Sequence, residues 1–128
     1  GAEGVQIGTR FALTEESSAS PVFKDYCLSL GEGDTKLLLK KLAPTRLVKN
    51  AFREAVEKAE DSGASAEELR TLLGRGRAKK GIFEGDLEEG ELEIGQVSAI
   101  ISRRQSVAEV MDELVAAYQR AAKKDCLF

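Results

Sequence analysis

Histidine is absent from the 128 residues of this sequence. Without an imidazole, the chain alone has no Ser-His-Asp or Cys-His catalytic group and no histidine ligand for zinc. Its two cysteines, Cys27 and Cys126, are too few for a disulfide framework. We expect Cys27 to be a small buried apolar side chain and Cys126 to be incidental near the end of the chain.

Long apolar runs are also missing. No stretch approaches the roughly 18 apolar residues of a membrane helix, and the N-terminus lacks the basic region and apolar stretch of a signal peptide. The net charge of −3 gives no general attraction to nucleic acid or to an anionic membrane. With 42% hydrophobic and 32% charged residues, the composition is typical of one globular domain, which we expect in the cytoplasm.

The first third of the chain is predicted to hold one strand and one helix. Residues 3–8 read as a short strand, whose backbone groups need partners that we expect outside this chain. Ser20 and Pro21 are typical of a helix start, and the helix is predicted to end at Gly31. Residues 35–42 fit a strand and a turn of helix equally well, because their leucines do not decide between the two periods.

The rest of the chain is predicted to be mainly helical. Apolar residues at helical spacing predict a helix that begins at Pro44 and covers residues 45–60. Serine followed three residues later by glutamate predicts a capping box at Ser65 and another at Ser106. A helix is also expected after Gly95. The last helix has an apolar face made of Val107, Val110, Met111, Leu114, Val115 and Tyr118.

Residues 74–95 combine six glycines with two clusters of opposite charge. The basic cluster has no interleaved aromatic residue, so a solvated loop is favoured over a nucleic-acid site. The acidic run does not have the spacing of an EF-hand loop, so a solvated loop paired with the basic cluster is favoured over a metal site. The clusters are Arg75, Arg77, Lys79 and Lys80, and Glu84, Asp86, Glu88, Glu89, Glu91 and Glu93.

The segment VQIGT, residues 5–9, invites a chemical interpretation. Gly8 permits close approach to the backbone, and consecutive amides at Gly8 and Thr9 can point at an anion. In (β/α)₈ barrels the loops after the last two strands commonly bind phosphate. An ordinary strand-to-turn junction explains the same five letters, so the spacing alone leaves both interpretations open.

A longer string and three later segments resemble one enzyme family. Residues 1–25, GAEGVQIGTRFALTEESSASPVFKD, resemble the last barrel strand and following segment of the nitronate monooxygenases. This family was once called 2-nitropropane dioxygenases and includes the FMN-dependent enoyl-acyl-carrier-protein reductases of type II. TRLVKN at 45–50 resembles its Arg-x-x-Lys-Asn helix, and residues 81–101 resemble its acidic glycine loop and Ala-Gly-Gln segment. Residues 106–119 resemble its terminal helix, so the resemblance covers nearly the whole chain.

The resemblance implies an α/β enzyme with a TIM (β/α)₈ barrel, of which this chain is the C-terminal part. Such a barrel takes about 250 residues. The chain begins at Gly1 and its only methionine is Met111, so we expect the other strands in a preceding segment. Residues 1–31 would supply the last barrel strand, the phosphate-binding turn and the following helix. Residues 32–128 would form a helical C-terminal extension that packs on the barrel.

The resemblance also implies which residues bind the cofactor. The turn would line the flavin phosphate chiefly through the Gly8 and Thr9 amides, and Gln96 would approach the flavin ring or the substrate cavity. For Ser98 that role and a structural one at a helix start are equally good explanations. Ile94 stands where the family usually has alanine, which leaves the substrate open. The cofactor-binding set is Gln6, Ile7, Gly8, Thr9, Gln96 and Ser98.

The implied function is that of an FMN-dependent oxidoreductase of the nitronate monooxygenase or enoyl-ACP reductase type. The substrate would be a nitronate or an enoyl thioester, with NAD(P)H as an electron donor for the second. The family's histidine lies upstream, so we expect no catalytic residue here and an inactive isolated chain. The expected partners are the remainder of the barrel and, through exposed apolar surface, a second copy. Arg10 either adds a cation near the phosphate or pairs with a carboxylate.

The alternative interpretation is a stand-alone, mainly helical protein-interaction module with no catalytic activity. Its amphipathic helices would bind a partner, and both capping boxes suit this function equally well. Binding of flavin discriminates between the two, because an interaction module has no reason to bind it.

Overall fold

The computed structural model describes residues 2–125, which form helices and one small antiparallel sheet. In that range the strands β1 and β2 are Thr35–Leu38 and Thr45–Val48, paired with Thr35 opposite Val48. A π-helical turn covers Lys79–Phe83 and a 3₁₀ turn covers Gln96–Ile100. The α-helices α1 to α5 are Thr9–Ala12, Pro21–Leu28, Ala51–Asp61, Ala66–Leu73 and Val107–Asp125.

The predicted helix starts at Ser20, Ser65 and Ser106 are confirmed. The Ser20 side chain accepts a hydrogen bond from the Phe23 amide at 3.1 Å, and α2 ends at Leu28, before Gly31. Both capping boxes close in both directions: the Ser65 amide donates to its glutamate at 2.7 Å and the Ser106 amide to its glutamate at 2.8 Å. These backbone bonds hold the pKa values of the two glutamates, Glu68 and Glu109, below the ordinary range.

The helix predicted to begin at Pro44 is wrong in its first turns. Residues 45–48 form β2, and α3 begins only at Ala51, where the Asn50 side chain accepts from the Arg53 amide at 2.9 Å. β2 pairs with β1 on one side, and on the other the Val48 amide donates to the Leu92 carbonyl at 2.9 Å. Since both edges of β2 are hydrogen-bonded, tertiary pairing decides the conformation of a segment whose apolar spacing also fits a helix.

The strand predicted at residues 3–8 is not confirmed, because residues 2–8 lie in neither a helix nor a strand. In the part of the chain that the structure describes, no strand lies beside them, and a strand exists only when its backbone groups are paired. Val5 is accordingly 83% exposed. Residues 35–38, for which the sequence fitted a strand and a helix equally well, form the strand β1. The segment 32–128 is thus not purely helical.

Two apolar clusters form the core. The first joins α2 to the segment around Leu92, and its Cys27 side chain is fully buried, as predicted. Burial raises the pKa of the Cys27 thiol to about 12. Cys126 lies outside the described residues. The second cluster joins the sheet to the helices α3 and α4 through Leu38, Leu39, Leu47, Phe52, Val56 and Leu69.

The loop between α4 and the 3₁₀ turn is held by the charges that the sequence predicted to pair. Lys79 lies 3.6 Å from Glu84, and Lys80 lies 3.0 Å from Asp86. Arg77 lies over the Phe52 ring at 4.5 Å and donates to the carbonyls of α4 and of the acidic run, including the Glu89 carbonyl at 2.7 Å. Arg77 therefore links the loop to the second apolar cluster. Among residues 2–125, no helix is long and apolar enough to cross a membrane.

The loop crosses itself at two glycines, and this close approach gives a prediction. A Cβ on Gly90 would meet the Gly81 Cα and the Asp86 carbonyl well inside contact distance. We expect Gly90→Ala to lower the free energy of unfolding by about 1–3 kcal/mol, as backbone overlap in a packed core does. Urea unfolding measures it, with Gly4→Ala as the control, because nothing lies within 4 Å of the Gly4 Cβ position. Equal midpoints for the two variants would contradict the crossing.

Buried Glu91 makes stability depend on pH. Burial, together with the like charge of Glu93, raises the pKa of the Glu91 carboxyl from 4.5 to about 7. The pKa of Glu91 is higher in the folded than in the unfolded protein, so protonation of this carboxyl favours the folded state. This contribution to stability is complete below pH 4.5 and is lost as pH rises through about 7. We expect Glu91→Gln to remove this fall in stability with rising pH, because glutamine does not titrate. Urea midpoints between about pH 5 and pH 8 measure this, and an unchanged pH slope in the variant would contradict it.

Candidate functional site

The structure brings the Gly8-Thr9 turn against the Gly95-Gln96 segment. Gly8 precedes the single turn of α1, with φ −99° and ψ −69°, and Thr9 is the first residue of that helix. The Thr9 hydroxyl oxygen accepts a hydrogen bond from the Gly95 amide at 3.0 Å, across 86 positions of sequence. A Cβ on Gly95 would overlap this oxygen, so the contact requires glycine. Two segments predicted separately to bind the cofactor are therefore neighbours.

A cavity of about 400 Å³, here called the turn cavity, opens beside this contact. The Glu93 and Ile94 backbone lies beside β2, with the Ile94 amide donating to the Arg46 carbonyl at 3.4 Å. Ile94 is buried and lines the cavity. Its side chain, which is larger than the alanine expected there from the family resemblance, is therefore part of the cavity wall. The lining residues are Thr9, Ala12, Arg46, Glu93, Ile94 and Gly95.

A second cavity of about 510 Å³, the loop cavity, lies between the loop after α2 and the 3₁₀ turn. Its polar side consists of Glu32, Thr35, Arg46 and the exposed side chain of Gln96. Its apolar side is Ala99 and Ile100, and Ile100 is 81% exposed. The guanidinium Nη1 of Arg46 donates to the Thr35 hydroxyl at 3.3 Å. Arg46 is thus the residue that lines both cavities.

The other predicted residues occupy different surroundings. Gln6 and Gly8 are exposed, whereas Ile7 lies partly buried on the wall of an apolar groove. Ser98 is 1% exposed and lines neither cavity. Its hydroxyl oxygen has no hydrogen-bond partner among the described residues. The predicted roles of Gln6, Ile7 and Ser98 stay predictions.

Arg10 adopts the carboxylate pairing, one of the two alternatives that its position offered. Its guanidinium forms an ion pair with Glu113 of α5 and donates to the Gln105 side chain at 2.9 Å. Gln105 in turn donates to Glu113 at 2.7 Å. This network fixes α1 to the start of the last helix, so Arg10 positions the turn rather than facing the turn cavity.

An apolar groove of about 680 Å³ separates the N-terminal segment from α5. Exposed Val5 and partly buried Ile7 form one side, and the apolar face predicted for the last helix forms the other. Val110 of that face is buried, but Met111, Val115 and Tyr118 are 46%, 48% and 73% exposed. The predicted stripe therefore exists, and much of it is left uncovered by the described part of the chain.

Sequence reasoning missed Arg46 as a site residue. The letters TRLVKN stood out through the family resemblance, but the predicted helix gave Arg46 no role. Its position on a strand between two cavities could only follow from the pairing of β2 with residues 92–94, which connects segments far apart in sequence.

Known proteins match nearly the whole length of this chain. The family model for nitronate monooxygenase matches residues 1–117. A probable nitronate monooxygenase of Bacillus subtilis is 31% identical over 115 residues, which are 89% of this chain. The structure of FabK from Thermotoga maritima superposes with a TM-score of 0.84 at 28% identity over 97% of this chain. A methionine-to-alanine variant of that FabK gives a TM-score of 0.78 at 26% identity.

These matches show that the chain shares its fold with part of an oxidoreductase of a flavin-dependent class. More particularly, the chain belongs to the nitronate monooxygenase family. It spans only part of its relatives, covering 33% of the Bacillus subtilis protein and 39% of Thermotoga maritima FabK. The segment that it resembles is therefore about a third of a larger protein in each case.

The Thr9–Gly95 contact predicts a specific stability effect. Thr9→Val removes the acceptor and leaves the partly buried Gly95 amide unpaired, so we expect the free energy of unfolding to fall by about 1–2 kcal/mol. Thr9→Ser keeps the oxygen and is expected to lose less than half of that. Chemical denaturation of the three proteins measures it. Equal losses in the two variants would show that the hydroxyl does not hold the segments together.

Proposed function

We propose that this chain is the C-terminal part of an FMN-dependent oxidoreductase, in which it binds the flavin phosphate and forms part of the active-site wall. The observation that supports this most is the hydrogen bond from the Gly95 amide to the Thr9 hydroxyl, because it assembles the two segments into one site beside the turn cavity. Membership in the nitronate monooxygenase family supports the cofactor class.

The turn has free donors for a phosphate. Within residues 2–125, neither the Gly8 amide nor the Thr9 amide donates to a protein acceptor. Nothing lies within 4 Å of the Gly8 Cβ position, so a ligand oxygen has room to approach the backbone there. The Thr9 oxygen accepts from Gly95, which leaves its own proton to donate. Backbone amides and a hydroxyl are the donors that phosphate sites commonly use, so these residues fit the phosphate end of FMN.

FMN, when bound, supplies the redox chemistry, and the protein supplies binding and orientation. In this proposal the Gly8 and Thr9 amides hold the phosphate, and Gln96 offers an amide side chain at the rim of the loop cavity. Ile94 narrows the turn cavity. The substrate is a nitronate or an enoyl thioester, with NAD(P)H as donor in the second case. The catalytic histidine belongs to the preceding segment, so we expect the isolated chain to turn over far more slowly than the longer protein.

The apolar groove fits the rest of the same barrel. Val5, Ile7 and Phe11 face Met111 and Tyr118 across a gap that apolar side chains would fill. A preceding barrel segment would cover this surface and provide the strand partners that residues 3–8 lack. Where that segment is missing, the same surface favours self-association.

The phosphate assignment predicts a selective loss of FMN affinity. Gly8→Val places a branched side chain where the phosphate would approach, and the open space around the Gly8 Cβ predicts little damage to the fold. In the protein made from the complete gene, we expect the FMN dissociation constant to rise by about tenfold or more, the equivalent of one lost charge-assisted hydrogen bond. The riboflavin constant should change little, because riboflavin has no phosphate.

Fluorescence titration of the apoprotein with FMN and with riboflavin measures both constants. Gly4→Val is the matched control, because its Cβ position is equally open and lies outside both cavities. Equal weakening of FMN and riboflavin by Gly8→Val, or none at all, would contradict the phosphate role of the turn.

A further inference from the structure

We propose that Arg46 binds the anionic end of the substrate, a carboxylate or phosphate carried on an apolar chain, in the loop cavity. This inference rests on the proposed function, which places the flavin beside the turn cavity, and it adds the recognition of the substrate. Arg46 contributes to both cavities, but its guanidinium points toward Thr35 and therefore into the loop cavity.

The charge of Arg46 has no counter-ion in the described part of the chain. Arg10, Arg53, Arg77, Arg103 and Arg104 each have a carboxylate within 4 Å. Arg46, Arg70, Arg75 and Arg120 have none among residues 2–123, whose side chains the structure describes, and the last three are exposed on the surface. Arg46 alone of these four is half-buried. A half-buried guanidinium without a carboxylate attracts an anion more strongly than an exposed one, because solvent screens it less.

The strand holds this guanidinium in place before any ligand arrives. Arg46 lies opposite Leu37 in the β1–β2 pair, and its carbonyl accepts from the Ile94 amide at 3.4 Å. Nη1 is directed by the Thr35 hydroxyl at 3.3 Å and the Thr35 carbonyl at 3.4 Å. Within residues 2–123, whose side chains are described, Nη2 and Nε of Arg46 donate to no protein group, so two donors of the planar fork are available to a ligand.

The walls of the loop cavity indicate what the anion is attached to. Its volume of about 510 Å³ lies in the range of small-molecule sites. Ala99 and Ile100 offer an apolar surface, and the Gln96 amide offers both a donor and an acceptor. Glu32 lines the same cavity more than 4 Å from the guanidinium and repels anions, so an anion is favoured only at the Arg46 end of the cavity. The cavity therefore suits a ligand with one anionic end and an apolar body.

Calorimetric titration of the protein from the complete gene tests this with three probes of similar shape. Hexanoate and hexyl phosphate carry an anionic end on an apolar chain, whereas hexanamide is neutral. We expect the wild type to prefer the anions by about tenfold or more, as one paired charge-assisted contact gives. Arg46→Gln should abolish this preference while hexanamide binding stays unchanged. Arg46→Lys should keep part of it, because the charge remains but the fork is lost.

Two controls separate binding from folding. Arg70→Gln removes an exposed charge of α4 outside both cavities and should leave all three constants unchanged. Thr35→Val removes the hydroxyl that directs Nη1, so it should reproduce any loss of stability caused by Arg46→Gln while keeping most of the preference for anions.

Three results would overturn the inference. The first is a wild type without preference for the anions, and the second is an Arg46→Gln protein that keeps the preference. The third is an Arg46→Gln protein that binds the anion probes like the wild type but has a higher dissociation constant for FMN and an unchanged one for riboflavin. That result would assign Arg46 to the flavin phosphate. A wild type that binds no flavin would refute the proposed function instead, and the calorimetric comparison, which needs no flavin, would still decide the anion site.

Discussion

The pairing of β2 with residues 92–94 is the contact on which the candidate site depends. The Val48 amide donates to the Leu92 carbonyl at 2.9 Å, and the Ile94 amide returns to the Arg46 carbonyl at 3.4 Å. This short ladder carries Gly95 to the Thr9 hydroxyl and places Arg46 between the two cavities. Because backbone hydrogen bonds fix the relative positions of the segments, the side chains at the site need little further ordering to form it.

Local chemistry in the sequence was enough to predict several elements and not others. Ser20, Ser65 and Ser106 mark helix starts correctly because a cap is decided by residues within one turn. The helix predicted for Leu47 and Val48 was wrong, because their spacing fits a helix and only a partner distant in sequence makes them a strand. The burial of Lys24 could not be predicted from local sequence either. This side chain is 3% exposed and donates to the carbonyls of Glu15 and Ser17.

The site shows the same division. Gly8, Thr9 and Gln96 were recognised through the family resemblance, and the structure places Thr9 and the Gly95-Gln96 segment side by side. Arg46 was not recognised, because its position between the two cavities depends on the pairing of β2. The family is established over residues 1–117, whereas the larger relatives are about three times as long as the matched segment. We therefore propose for this chain the binding and orientation of the cofactor and substrate at one wall of a larger site.

Size-exclusion chromatography of the native gene product, followed at a protein and a visible flavin wavelength, tests the central claim most directly. We expect flavin to co-elute with a polypeptide more than twice as long as this 128-residue chain. Denaturation should then release the flavin as FMN, because the proposed binding is non-covalent. A colourless peak at the size of this chain, or at a small multiple of it, would contradict the account and favour a protein-interaction module.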